Sequence, residues 1–314
     1  MSLRLNLAGL CKATLQGISL VGLLFCFTSA AQQNSPQMPL AIVYAGDYSE
    51  NNYTLELLNK ALFTAGERYI SQPLGYYPPR GRDFNMMEKK EGIDIMWGSA
   101  RRDRESRFLA IRIPIFKGLI GWRIPLVMNE QKDMFKTVDT LSELTKLRPG
   151  QYFRWTDTAI LRENGIDVFA VNTRETLMDM LVSGKFDYYP RAVIEIEYEY
   201  QQNKARGVVI DDHILMIYPT AFYYYVHKEN KALARNLNKG LEQMIVNGEM
   251  DRLFDKHFGA ILNQMAIHRR HIFRLQNSNI PDTAPLSRSE LWLDPASLVG
   301  NNQSQTALKE NKSK

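Results

Sequence analysis

The sequence is poor in the side chains that most often build reactive sites. It contains two cysteines among 314 residues, Cys11 and Cys26, and five histidines. If the segment that holds both cysteines is removed, the chain has no disulfide, no thiol nucleophile and no cysteine metal site. None of the histidines has the His-Glu-x-x-His spacing of a zinc enzyme, and neither a Gly-x-Ser-x-Gly turn nor a glycine-rich phosphate loop occurs. We therefore expect no metal, no cofactor and no catalytic residue.

Long apolar runs are also missing, except near the N-terminus. Arg4 and Lys12 are basic, the stretch 17–30 is apolar, and small and polar residues follow it. These are the three parts of a secretory signal, with cleavage placed most simply after Ala31. The alternative is a retained membrane anchor, but the apolar run is short for a span and no basic stop-transfer segment follows. The sequence predicts a signal peptide over 1–31 and a periplasmic protein.

A strong excess of one charge is absent as well. The net charge of the whole chain is +5, which becomes +3 when Arg4 and Lys12 leave with the leader. The basic residues do not gather into one block, so we expect no nucleic-acid partner. Apolar content of 45% and charged content of 23% are ordinary for a globular protein. The length allows one large domain or two lobes, each with its own core.

What the sequence does contain is an alternation of strand and helix patterns. "PLAIVYAG", "YISQPLGYY" and "IDIMWG" are β-rich runs, and helical patterns separate them. The stretch "RIPIFKGLIGWRIPLVMN" is extended and broken by proline and glycine, and a second alternating run follows it. The tyrosine-rich strand "AFYYYVHK" and a strongly helical stretch, 230–258, come after that. This order predicts an α/β protein with two lobes joined by two extended hinge crossings, and a ligand cleft between the lobes.

The pattern also predicts where the lobes begin and end. We expect the first lobe to comprise 39–125 and 220–275, and the second lobe to comprise 126–219. The segment 276–314 is rich in serine, asparagine and proline, which predicts an irregular extension that is disordered at its end.

Three motifs in this order resemble a known family. They are "EGIDIMWGSARRDRESRFLAIRIPIFKG", "SGKFDYYP" and "NGEMDRLFDKHFG". Together they resemble solute-binding protein family 3, the bacterial extracellular or periplasmic substrate-binding proteins, over about 39–258. The resemblance implies the type II periplasmic-binding fold, a two-lobed clamshell, and places this chain in a divergent subgroup.

The resemblance also implies a ligand-binding arginine. Arg104 occupies the position at which the family clamps a ligand carboxylate, and a planar guanidinium can offer two parallel donors to a carboxylate. The other interpretation of Arg104 is a surface ion pair with Asp103 or Glu105. We expect Arg101, Arg102 and Arg107 to be solvated, but Arg101 stands where the family usually has threonine and is therefore a further ligand-binding candidate.

In the second lobe the sequence departs from the family. "RWTDTAIL" stands at the family's helix start, where Thr156, Asp157 or Thr158 can cap the helix, Trp155 can stack on a ligand and the threonines can donate hydroxyls. The family's ammonium-binding aspartate corresponds to Ala192, next to Arg191. We therefore expect a ligand that is not an ordinary amino acid but more anionic, or polar and held by stacking. The remaining lining candidates are Trp97, Ser99 and Tyr48.

These observations predict a periplasmic protein that captures a small polar or anionic ligand between two lobes, for ABC-type uptake or for sensing. Its partners would be the ligand and an inner-membrane ABC permease or sensor kinase, and the protein would be a monomer. Two alternatives stay open at this point. One is a sensory or scaffold partner of a membrane receptor, and the other is a dehydratase-like enzyme on the same fold.

Overall fold

The computed structural model describes residues 39–46, 52–66, 68–79 and 81–298. The predicted signal peptide and Tyr48 lie outside these described residues. The first elements in chain order are β1 (Leu40–Tyr44), α1 (Tyr53–Thr64), β2 (Tyr69–Pro73), α2 (Arg82–Glu88), β3 (Ile95–Ser99), α3 (Arg102–Glu105) and β4 (Phe108–Ile111). The next are β5 (Trp122–Met128), α4 (Leu141–Leu144), β6 (Gly150–Tyr152), α5 (Thr156–Glu163), β7 (Phe169–Val171), α6 (Leu177–Val182), β8 (Tyr189–Ala192), α7 (Val193–Asn203), β9 (Val208–Ile210) and β10 (Ile214–Ile217). The last are β11 (Phe222–His227), α8 (Lys231–Val246), α9 (Glu249–Gln264) and β12 (His271–Arg274).

The first lobe is built on a five-stranded sheet with the order β2-β1-β3-β11-β4. Strands β2, β1 and β3 are parallel, because helices α1 and α2 carry the chain back between them. Strand β11 comes from much later in the chain and lies antiparallel between β3 and β4. This lobe is therefore assembled from two separate parts of the chain.

The second lobe has its own sheet, with β12-β10-β5-β8 in order and β9 paired with the end of β5. The two-lobed α/β architecture is thereby confirmed. Strand β5 belongs to this sheet from Trp122 onward, so the predicted lobe boundary after residue 125 falls inside a strand. Strand β12 pairs with β10 in the same sheet, although the sequence placed 271–274 in the first lobe. The difference arises because a strand joins whichever edge offers free backbone groups, and local sequence does not record this.

Helix α1 shows how the predicted pattern becomes a core. The Asn52 side chain caps it by accepting a hydrogen bond from the Leu55 N–H at 3.0 Å. Leu57, Leu58 and Ala61 recur on one face and are completely buried. Helix α8 packs on this face, and its approach is so close that a Cβ on Gly240 would lie 1.8 Å from the Ala61 carbonyl oxygen.

The long helical pattern at 230–258 forms two helices rather than one. Helix α8 ends at Val246, and α9 begins at Glu249. Gly248 separates them with a φ of 71°, in the left-handed region that glycine adopts without steric cost. The turn lets the apolar stripe continue on a second helix that packs against both α8 and α1.

The chain passes between the lobes more often than the two predicted crossings. The first crossing joins β4 to β5, and the second joins β10 to β11. They lie side by side, since the Tyr218 N–H donates to the Gly121 carbonyl at 3.2 Å. The chain then returns from α9 to the second sheet as β12, and the irregular segment 276–298 leads back to the first lobe. We call this segment the strap.

An ion pair on the first lobe gives a pH prediction. Lys256 Nζ donates to both carboxylate oxygens of Glu56 at 2.8 Å, and His257 Nε2 lies 2.7 Å from one of them. The hydrogen bond from Lys256, with a smaller contribution from His257, lowers the pKa of Glu56. A lowered pKa in the folded chain adds stability above the unfolded pKa of this carboxyl, and the addition is lost as pH falls through the folded pKa.

We expect Glu56→Gln to lower the melting temperature by about 1–3 °C at pH 7 and to leave it unchanged at pH 3, since exposed pairs contribute ~0.2–1 kcal/mol. Differential scanning calorimetry at the two pH values measures this. Exposed Glu130, which has no ion pair among the described residues, is the control, and Glu130→Gln should have the same small effect at both. An equal deficit of the Glu56 variant at both pH values would refute the assignment.

Candidate functional site

A cavity of about 520 Å³ lies between the two lobes. The first lobe contributes the end of β3 and the start of α3, and the second lobe contributes the start of α5. The second crossing and the strap complete the lining. Its residues are Ser99, Ala100, Arg101, Arg102, Asp103, Arg154, Thr156, Ala159, Thr220, Asn277, Asn279 and Ile280.

Three of these lining residues are arginines, and only one is a carboxylate. Arg101 makes two hydrogen bonds to Asp103, at 2.9 and 3.1 Å, and Arg102 donates to Asp282 on the strap at 3.0 Å. Arg154 lies over the Phe153 ring, 5.0 Å from its centre, and has no carboxylate partner among the described residues. The cavity therefore has an excess of positive charge that suits an anionic group.

The start of α5 faces this cavity through Thr156 and Ala159. The predicted cap is wrong, because Trp155 occupies the N-cap position and makes no side-chain capping bond. The Thr158 hydroxyl is turned away and donates to the Tyr152 carbonyl at 2.8 Å. Of the three residues proposed as caps, Thr156 alone lines the cavity.

Arg104, the ligand-binding arginine that the family resemblance implies, does not line this cavity. Its guanidinium donates to the Ser99 carbonyl at 2.5 Å and lies 4.2 Å from the centre of the Phe84 ring. It also lies 5.6 Å from the centre of the Tyr225 ring, and burial lowers its pKa, an effect that Tyr225 partly opposes. Gly98 makes room for it, since a Cβ there would be 2.5 Å from Nη1. A ligand contact of Arg104 stays a prediction.

The other candidates of the first lobe divide between core and cavity. Trp97 packs in the core, with its ring centre 5.8 Å from that of Tyr44 and 6.3 Å from that of Tyr224. Ser99 lines the cavity, and Arg101 does so in its pair with Asp103. Tyr48 lies outside the described residues.

Asp157 belongs to a buried network in the second lobe. Arg123 Nη2 lies 2.6 Å from Asp157 Oδ1, and Arg123 Nε donates to the Tyr218 hydroxyl at 2.7 Å. The Tyr218 hydroxyl in turn donates to Asp157. Burial by itself lowers the pKa of Arg123, but Asp157 and Tyr218 more than offset this and hold it above its ordinary value. The Asp157 carboxylate is therefore paired within this network.

Arg191 forms a second cluster beside this network. Its guanidinium lies 3.0 Å from Glu195 and 2.5 Å from Glu199, and 5.1 Å from the centres of the Trp155 and Tyr189 rings. These two rings are parallel, with centres 6.4 Å apart. Burial raises the pKa of Glu199 above its ordinary value, although Arg191 opposes the shift. Arg191, which the sequence suggested as a partner for an anionic ligand, is instead paired with Glu195 and Glu199 of this chain.

Sequence reasoning missed Arg154, Thr220 and the strap residues, and it treated Arg102 as solvated. Arg154 stands directly before the predicted helix start. A helix N-terminus attracts anions, so an arginine beside it could have indicated an anion-binding position. No signal in the sequence indicated the strap, because its contacts with the two lobes join residues between 46 and 180 positions apart.

Asp211, Asp212 and His213 have donor atoms within 4.8 Å of one another. The Asp211 carboxylate, however, accepts the backbone N–H groups of His213 and Ile214 at 3.0 and 2.9 Å. Buried Arg270 lies 3.6 Å from the same carboxylate. This arrangement shapes the turn before β10.

Within the described part of the chain, no helix is both long and apolar enough to cross a bilayer.

Comparisons with known proteins give no relative by sequence: no family model and no curated protein matches. Solved structures do match. An ancestral arginine-binding protein bound to arginine is 18% identical, covers 71% of this chain and 98% of its own, and has a TM-score of 0.47. A histidine kinase sensor domain with similarity to periplasmic binding proteins is 15% identical, covers 70% and 96%, and scores 0.49. The GluR0 ligand-binding core from Nostoc punctiforme in complex with L-glutamate is 19% identical, covers 70% and 99%, and scores 0.44. With identities and scores this low, what these proteins bind says nothing about the ligand of this chain.

Proposed function

We propose that this protein is an exported solute-binding protein, a divergent member of family 3, that captures a small anionic or polar ligand between its lobes. Delivery to an inner-membrane ABC permease or to a sensor kinase would follow capture. The observation that carries the proposal is the cavity of about 520 Å³ lined from both lobes. Clefts of this size between lobes are the usual place for small ligands, and closing two lobes over a ligand is a common binding motion.

The charges of the lining support an anion in preference to a zwitterion. Arg101, Arg102 and Arg154 face a single lining carboxylate, Asp103. A zwitterionic amino acid needs a carboxylate near its ammonium group, because a buried charge without a partner is costly. In the second lobe, Asp157, Glu195 and Glu199 are already paired with Arg123 and Arg191. Of the three lining arginines, Arg154 has no carboxylate partner among the described residues, so its guanidinium is available to an anionic ligand.

Thermal-shift screening tests this proposal, since a ligand that binds only the folded state raises the melting temperature. The panel contains the common amino acids, dicarboxylates and phosphate esters. We expect an anionic compound to raise the melting temperature, and calorimetry to confirm its binding. Arg154→Ala should weaken that binding about tenfold or more, because a charge-assisted hydrogen bond contributes ~1.5–3 kcal/mol.

Arg148→Ala is the matched control, because this second-lobe arginine pairs with Asp167 outside the cavity lining and should bind like the wild type. Arg104→Ala separates the two possible positions of the ligand. If Arg104→Ala abolishes binding and Arg154→Ala does not, the ligand lies at the family position. Tight binding of ordinary amino acids, or no response to any compound in the panel, would overturn the proposal.

A further inference from the structure

The start of the strap is hydrogen-bonded to the second lobe and to the second crossing. Gln276 exchanges two hydrogen bonds with the Asn164 side chain, both of 2.9 Å. The Ser278 N–H donates to both carboxylate oxygens of Glu163 at 3.1 Å. The side chain of buried Asn277 donates to the Pro219 carbonyl in the second crossing at 2.8 Å. These contacts hold the start of the strap against the end of α5.

The same strap then attaches to the first lobe. Asp282 accepts from Arg102 at 3.0 Å, and the Thr283 hydroxyl donates to Glu105 at 2.7 Å, so both bonds reach α3. Arg288 makes two bonds to Glu242 on α8, at 2.6 and 2.8 Å.

The strap also reaches the first crossing. The Leu293 N–H donates to the Lys117 carbonyl at 2.8 Å. The Trp292 ring lies so close to Gly118 that a Cβ there would be 2.8 Å from the ring. The strap thus spans both lobes within about twenty residues.

Between its two attachments the strap borders the cavity. Asn277, Asn279 and Ile280 are lining residues, together with groups from both lobes. We propose that the strap is the third wall of the ligand cavity and a tether that holds the two lobes closed, so that the cavity opens only when the strap leaves α3. This inference rests on the proposed function for the identity of the cavity, but the tether itself can be tested without a ligand.

The physical reason is the number of connections that opening would disturb. Two side-by-side crossings form a hinge about which lobes can turn. The strap and the return of the chain from α9 to β12 add two more passes between the lobes. Helix α9 also touches α7 across the lobes, where Gln264 donates to Glu197 at 2.9 Å. Rotation about the hinge would pull the strap away from one of its two attachments.

The test is the distribution of distances between spin labels on the two lobes. The labels are placed at Asn238→Cys in the first lobe and Lys185→Cys in the second, in a full chain with Cys11 and Cys26 changed to serine. Both labelled positions are exposed. The release variant Asp282→Ala/Thr283→Val/Arg288→Ala removes the strap's side-chain bonds to α3 and α8. It leaves every lining residue in place, together with the 3.3 Å bond from Arg102 to the Ser278 carbonyl. We expect a broader distribution, with its mean longer by more than about 2 Å, the scale of domain rearrangements.

The control is Lys90→Gln/Arg174→Gln, which removes two exposed ion pairs, each within one lobe, and should leave the distances unchanged. Unchanged distances in the release variant would overturn the tether. Should the release variant fail to fold, as judged by circular dichroism, the smaller variant Asp282→Ala/Arg288→Ala is measured instead, and unchanged distances in it would likewise overturn the tether. A chain whose lobes respond to strap release but that binds no compound in the panel would keep the tether and reject the proposed function.

Discussion

Replacing Arg123 by alanine should lower the free energy of unfolding by about 3–5 kcal/mol, the usual cost of removing one member of a buried ion pair. The side chain of Arg123 is 9% exposed and that of Asp157 is 17% exposed, so water cannot compensate the carboxylate that is left behind. The Tyr218 hydroxyl would keep Asp157 as its acceptor but lose the Arg123 Nε–H that it accepts. Urea denaturation of both proteins at pH 7 measures the difference.

Two further variants make this result specific. Arg148→Ala, which breaks an exposed pair with Asp167, should cost ~1 kcal/mol or less. Arg123→Met/Asp157→Asn removes both charges and keeps an oxygen that can accept from Tyr218, so it should be clearly more stable than Arg123→Ala. A loss below about 1 kcal/mol for Arg123→Ala would show that this network does not support the fold of the second lobe.

The second large effect is expected where α8 crosses α1. Gly240→Ala should destabilise the protein by about 3 kcal/mol or more, because the new methyl group would lie 1.8 Å from the Ala61 carbonyl oxygen. The obstacle is backbone, which cannot rotate away as a side chain could. The helices would have to separate and expose part of the core around Leu57 and Leu241.

Gly259 on α9 is the matched control for this prediction. It is also a helical glycine, but a Cβ there meets nothing closer than the Asp255 Cβ at 4.0 Å. Gly259→Ala should therefore stabilise the protein by roughly 0.5–1 kcal/mol, since alanine loses less backbone freedom on folding than glycine. Opposite signs for the two substitutions, read from their denaturation midpoints, are the expected result. Equal effects would mean that α8 and α1 are not packed this closely.

Much of the fold could be predicted because its signals are local. Helical patterns between the β-rich runs identified α1 and α2, and the β-rich runs identified β1, β2, β3 and β11. Strand β11, which the tyrosine-rich run predicts, pairs antiparallel with β3 in the first sheet. The division of the last helical pattern at Gly248 was missed, since glycine inside a helical pattern is compatible with both one helix and two.

The candidate site was harder to predict, because side-chain direction depends on neighbours that are distant in sequence. Arg104 turns to Phe84 and Tyr225, and the missing side chain of Gly98 leaves space for it. Arg191 pairs with Glu195 and Glu199 on α7, and its guanidinium also lies over the ring of Trp155, which precedes α5. These orientations are set by packing after the elements have formed.

The sequence by itself determined the kinds of element, their order and the two-lobed α/β architecture, because the periodicity of apolar residues and the breaks at glycine and proline act within a few residues. Only the tertiary structure decided which charges stand free and which are paired, and it alone brought the strap across both lobes. The physical reason is that an arginine takes its partner from whatever carboxylate the fold brings within about 4 Å, and that partner can lie anywhere along the chain.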